Sequence, residues 1–159
     1  MAGWRNGWVA EKKEYVDAVL KVKSNMDSGM FLGLQHAAVE GLKNGDDWFS
    51  TLNKVYSDRK QVATKLLDIL GCSYSQEQSG LFVWAKAPEG IPDVEKWIDE
   101  ILYGTKVFIT PGFIFGEAGR RFIRISLSCT VEMLNEALLR IEKFVKNSPA
   151  LASRKTVNV

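Results

Sequence analysis

A chain of 159 residues with 46% hydrophobic and 25% charged residues has the composition of an ordinary globular protein, and its length suits one domain or a domain plus an appendage. A chain this long can bury about 68–70% of its unfolded surface, so its core needs neither disulfides nor a structural metal. A net charge of +2 from scattered Lys and Arg residues argues against nucleic acid and anionic membrane as partners. Cys72 and Cys129 stand apart, with no CxxC and no His cluster, and are expected to be two small buried hydrophobes, not zinc ligands. No apolar run is long enough for a membrane span and no leader pattern follows Met1, so a cytoplasmic setting is the expectation.

The opening, Gly3-Trp4-Arg5-Asn6-Gly7-Trp8, predicts a short strand with glycines where backbones approach closely. An amphipathic helix follows over 11–23, with Tyr15, Val19 and Val22 on one face, and the turn formers of 24–29 interrupt it. Residues 30–42 return to helix, placing Leu34, Ala37, Ala38 and Gly41 on one side, and Asn44-Gly45 stops it. A long helix then begins at Asp46 or Asp47 and runs to Gly71, with Tyr56, Val62, Ala63, Leu66 and Leu70 repeating at threes and fours.

From there the period changes. Residues 81–85 predict a strand bounded by Gly80 and Pro88, and Val94, Trp97, Ile98, Ile101 and Leu102 predict a helix. Residues 107–110 and 121–128 predict two more strands, joined by a glycine-punctuated loop. Thr130 caps a last helix whose core face is Leu134, Leu138, Ile141 and Val145. The tail over 148–159 is polar and expected to be mobile. This order gives an α/β chain, with a small mixed β-sheet packed against helices.

Alternation along 121–128 puts Ile123, Ile125 and Leu127 on one face and Phe122, Arg124 and Ser126 on the other. Arg124 therefore points away from the helix-covered side. An arginine on a solvent-facing strand is the simpler reading, and a planar fork binding a carboxylate is the alternative. Arg5, among small residues, poses the same question for a phosphate. The glycines of 110–119 match neither a P-loop nor a dinucleotide fingerprint. His36, the only histidine, has no acidic or serine partner in its helix and is expected to be a packing residue.

Together and in this order, Met1-Ala2-Gly3-Trp4-Arg5, Lys23-Ser24-Asn25-Met26-Asp27-Ser28-Gly29, Phe82-Val83-Trp84-Ala85-Lys86, Thr110-Pro111-Gly112 with Phe115-Gly116, and Phe122-Ile123-Arg124-Ile125-Ser126-Leu127 resemble the class I/II aminotransferases of fold type I, which depend on pyridoxal 5'-phosphate. The aspartate- and diaminopimelate-like branch is the nearest in pattern, and the resemblance spans 1 to about 146. It implies that Arg5 binds the cofactor phosphate, that Arg124 binds the substrate α-carboxylate, and that Ser28 lies near the substrate at the boundary of a homodimer. It implies amino-acid and 2-oxo-acid substrates and no metal.

The resemblance further implies that 1–42 is an edge of the large cofactor-binding domain with an interdomain helix, and that 43–147 is the C-terminal small domain. The family's Schiff-base lysine aligns a few residues before Met1, so no catalytic residue is assigned within this chain, and the chain alone is expected to be inactive. A stand-alone, non-catalytic binding module derived from the small domain is the alternative expectation.

Overall fold

The computed structural model describes residues 2–148, so the expected mobile tail, apart from Ser148, lies outside the described residues. The chain divides into two compact units, Met1–Thr51 and Leu52–Val159.

In the first unit the expected opening strand is absent. A 3-10 turn, Ala2–Trp4, leads into irregular chain. No strand of this unit is available to pair with it, and an unpaired strand leaves its backbone donors and acceptors unmatched. Helix α1, Lys13–Met26, runs past its expected end. The Ser24 hydroxyl and the Asn25 amide donate back to the Lys21 carbonyl at 3.2 and 2.6 Å, so these turn formers finish the helix instead of breaking it. The reversal comes at Asp27, whose carboxylate accepts from the Gly29 N–H at 3.2 Å, with Gly29 at a φ of 119°.

Helix α2, Leu32–Leu42, half-buries the expected face of Leu34, Ala37, Ala38 and Gly41, and the Asn6 amide donates to the Leu34 carbonyl at 3.2 Å. Tyr15, Val19 and Val22 of α1 are instead exposed, as is His36, which is not the packing residue expected. No described residue of this unit is buried.

The second unit holds the core. Helix α3, Asp46–Ile69, buries Val62, Ala63, Leu66 and Leu67 from its second half. Helix α4, Val94–Thr105, starts where the Asp93 carboxylate accepts from the Lys96 N–H at 3.1 Å and ends on Lys106 in the left-handed region. Helix α5, Val131–Asn147, is capped by Thr130 as expected, its hydroxyl accepting from the Met133 N–H at 3.4 Å.

The sheet has the order β1-β3-β2, from β1 Phe82–Lys86, β2 Thr110–Pro111 and β3 Phe122–Ser126, and both pairings are antiparallel. The second strand is shorter than expected: 107–109 do not pair, and Pro111, with no N–H, ends it at the sheet edge. Val83, Ala85, Ile123 and Ile125 bury one face of the sheet, in one core with Leu67, Trp97, Ile101 and Ile141 of the three helices.

The free edge of β1 is covered without a fourth strand. Gln78 donates its amide to the Trp84 carbonyl at 2.8 Å and accepts from the Trp84 N–H at 2.7 Å, while Ser73 and Lys86 exchange backbone bonds of 3.0 and 2.8 Å. The Lys60 ammonium holds the preceding loop through the carbonyls of Gln76 and Gln78 at 2.7 and 2.6 Å.

Candidate functional site

Among the described residues of the second unit three arginines are half-buried, and their acceptors distinguish them. Arg59 on α3 gives Nη1 to the Leu127 carbonyl at 2.9 Å and lies over the Tyr56 ring, its Nε buried without a partner. Arg121, just before β3, donates to the carbonyls of Ile91 and, at 2.7 Å, Pro88. These two fasten loops to the core. Arg124, in the middle of β3, also has its Nε buried without a partner, but among the described residues it alone of the three has no hydrogen-bond acceptor at all, and its guanidinium carbon lies 4.1 Å from the centre of the Phe82 ring and 4.3 Å from that of Phe115. A buried donor left unmatched costs about 1–3 kcal/mol, which an anion bound in the guanidinium plane would recover.

The strand pattern accounts for this placement. Ile123 and Ile125 are buried, so Phe122, Arg124 and Ser126 share the opposite face, as alternation predicts. In register, Trp84 of β1 and Thr110 of β2 stand opposite Arg124, and Phe82 stands opposite Ser126, diagonal to the arginine.

Phe115 comes from the 3-10 turn Gly112–Phe115 that follows β2. That turn is anchored by a backbone contact only glycines permit: a Cβ on Gly112 would lie 2.3 Å from the Gly119 carbonyl oxygen, and one on Gly119 would lie 2.1 Å from that of Gly112. Trp84 meets Phe115 edge-on at 5.8 Å and stacks on Phe122 at 5.5 Å, so the ring covering Arg124 is itself supported. Beside this platform a groove of about 430 Å³ runs along β2, β3 and α5, its walls including Thr110, Arg124, Ser126, Cys129 and Arg140.

Arg5 and Ser28 lie in the first unit. Arg5 follows the 3-10 turn at a φ of 57°, a left-handed conformation that costs a non-glycine residue roughly 1–2 kcal/mol. The same conformation ends α4 at Lys106. The Arg5 side chain is exposed, and the backbone at Gly3 and Gly7 faces open space. Ser28 is exposed at the bend after α1, and the turn there is closed by Asp27. The Lys23 ammonium, with the Gly29 N–H second, holds the Asp27 carboxyl below the usual carboxylate range.

Neither cysteine adds chemistry. Burial, with Asp68 nearby, pushes the Cys72 thiol up to about 12, and Cys129 is half-exposed, not buried as expected. Among the described residues no group of His, Cys, Asp and Glu gathers as a metal would require, and no helix is long and apolar enough to cross a membrane. Sequence reading missed Phe82 and Arg59. Phe82 was open to detection, since the two-residue period puts it on the Trp84 face. Nothing in the pattern of α3 marks Arg59, whose partner is a backbone carbonyl 68 residues away.

Comparison with known proteins places this geometry in a family. The profile of "Aminotransferase class I and II" matches residues 1–141. The chain is 36% identical over 143 residues to LL-diaminopimelate aminotransferase of Maridesulfovibrio salexigens, and 33% identical over 142 residues to that of Halothermothrix orenii. These matches cover 90% and 89% of the chain but only 37% and 36% of the relatives, so the chain spans little more than a third of their length. Among solved structures, BacF of Bacillus subtilis superimposes with a TM-score of 0.74 at 33% identity, over 90% of this chain and 37% of that one. Aspartate aminotransferase of Thermotoga maritima does so with a TM-score of 0.74 at 27% identity, over 92% and 37%. With its small antiparallel sheet, its helices and 141 residues matched to the family profile, the chain belongs to the class I and II aminotransferases.

Proposed function

We propose that this chain forms the C-terminal part of an enzyme that moves an amino group between an amino acid and a 2-oxo acid with the help of pyridoxal 5'-phosphate. The observation that carries the reading is Arg124: a half-buried guanidinium held by two rings, with no acceptor among the described residues for any of its donors. A carboxylate is the anion that matches a guanidinium fork in two parallel hydrogen bonds, and both substrates of such an enzyme carry one. Arg124 would hold it in a fixed orientation, with Phe82 and Phe115 keeping water from the guanidinium.

The residues present also fit the cofactor. Arg5 is a strained, exposed cation flanked by Gly3 and Gly7, whose open backbone lets a phosphate approach closely, and it would hold that phosphate. When bound, the cofactor supplies an electron sink for the bond broken at the substrate Cα. Ser28 is placed near the substrate by the same reading. The lysine that would carry the cofactor and shuttle the Cα proton is expected from residues outside this chain.

Residues 1–42 would then be an edge of the large domain and 43–147 the small domain, working as a cytoplasmic homodimer. The contrast between a first unit with no buried residue among those described and a second unit with a full core supports that division. In the intact enzyme, Arg124→Ala should raise the KM for amino-acid and oxo-acid substrates by at least about a hundredfold while leaving cofactor affinity nearly unchanged. Arg5→Ala should do the reverse. Equal effects of either substitution on both ligands would refute the division of roles.

A further inference from the structure

We propose that Phe82 and Phe115 are positioning residues that set the orientation of Arg124 and so determine how tightly a carboxylate is held. The inference rests on Arg124 being the carboxylate ligand and adds what makes it a good one. Both ring centres lie close to the guanidinium carbon, at 4.1 and 4.3 Å, well inside the range of cation–π attraction.

Neither ring is where it is for the sake of the core. Phe82 is 42% and Phe115 52% exposed, on the sheet face turned away from Ile123 and Ile125, so neither belongs to the core those residues build. Their positions are nonetheless specified from two directions. Phe82 sits on β1, in a register fixed by five paired residues of β3. Phe115 sits on a turn anchored by the Gly112–Gly119 backbone contact and braced by Trp84.

An unrestrained arginine side chain loses rotamer freedom when it binds, and that loss weakens the complex. A guanidinium already held between a strand residue and a loop residue loses less. The rings offer no hydrogen-bond acceptor, so they fix the cation without consuming the donors a carboxylate needs. An aspartate or glutamate in either place would hold the arginine as firmly and would compete with the substrate.

The test uses the intact enzyme with Phe82→Leu, Phe115→Leu, the double variant, Phe115→Tyr and Arg124→Ala. The double leucine variant keeps the surface apolar but removes both π faces. We expect it to raise the KM for both amino acid and oxo acid roughly tenfold with kcat within about twofold, and we expect Phe115→Tyr to remain near wild type. Independently of activity, the Arg124 Nε–H resonance in a 1H–15N spectrum should lie upfield from the rings' shielding and move to the ordinary arginine position in the double variant.

If Arg124→Ala raises KM while the double leucine variant leaves both KM and the resonance unchanged, the positioning role is overturned and the carboxylate role stands. If Arg124→Ala itself leaves KM unchanged, the carboxylate role fails and this inference with it. An equal loss of cofactor and substrate affinity in the leucine variants, with no retention by Phe115→Tyr, would mark the rings as merely structural and also overturn the proposal.

Discussion

Arg124 shows how far single residues could be understood from the strand pattern. Alternation located its side chain on the face opposite the core, and the structure agrees, but alternation cannot distinguish a solvated arginine from one awaiting an anion. The deciding facts are the absence, among the described residues, of an acceptor for any of its donors and the two flanking rings, and the rings are brought from β1 and from the turn after β2. That turn can be tested at its glycines. Its Gly112 has the Gly119 and Phe122 carbonyl oxygens 2.3 and 2.7 Å from where a Cβ would stand, and backbone atoms cannot swing aside as a flexible side chain would. Gly112→Ala should therefore lower stability by about 2–3 kcal/mol, seen as a reduced denaturant midpoint at unchanged slope. It should also loosen Phe115 from Arg124. A midpoint equal to wild type would mean that the Gly112–Gly119 contact is not a close one.

The elements were legible in proportion to how local their causes are. Helices α4 and α5 bury most of the residues their spacing predicts, leaving Leu102 and Leu138 half-buried, because each meets the core along one stripe, and Asp93 and Thr130 cap their starts within four residues of chain. Strands depend on partners, so the pattern over 107–110 overstated β2, and the opening 3–10 did not become a strand at all. The edge of β1 had no sequence signature because a side chain, not a strand, covers it. Gln78 gives the Trp84 backbone one donor and one acceptor, as a neighbouring strand would. Gln78→Ala leaves both groups to water or unmatched, and should cost about 1–2 kcal/mol in stability and speed hydrogen exchange at the Trp84 amide. Gln78→Glu keeps the acceptor but replaces the donor with a second oxygen facing the Trp84 carbonyl, and should be at least as damaging. If both variants matched wild type in midpoint and exchange, the edge would be held by the Ser73–Lys86 pairing alone.

The two units differ in what holds them together. Every buried apolar side chain among the described residues belongs to the second unit, from Val62 to Val145, whereas the first unit exposes Trp4, Trp8, Tyr15, Val19, Val22 and Phe31. The sequence predicted the amphipathic face of α1 correctly as a pattern, but a pattern states only that a face needs covering and not where the cover comes from. Helix α1 has 14 residues, close to the length at which an isolated helix is marginal in water, and none of them is buried. In the 159-residue chain its amides should therefore exchange with solvent through local opening costing at most about 1–2 kcal/mol, while those of β3 and α5 exchange only through unfolding of the second unit. Urea should leave α1 exchange almost unchanged at concentrations that steadily accelerate exchange in β3, because local opening exposes little new surface. In a longer polypeptide that supplies the rest of an aminotransferase, α1 protection should rise by orders of magnitude as its apolar face is covered, with β3 much less affected. Protection of α1 as strong as that of β3 in the 159-residue chain would contradict this, because it would require the first unit to have a source of stability other than burial.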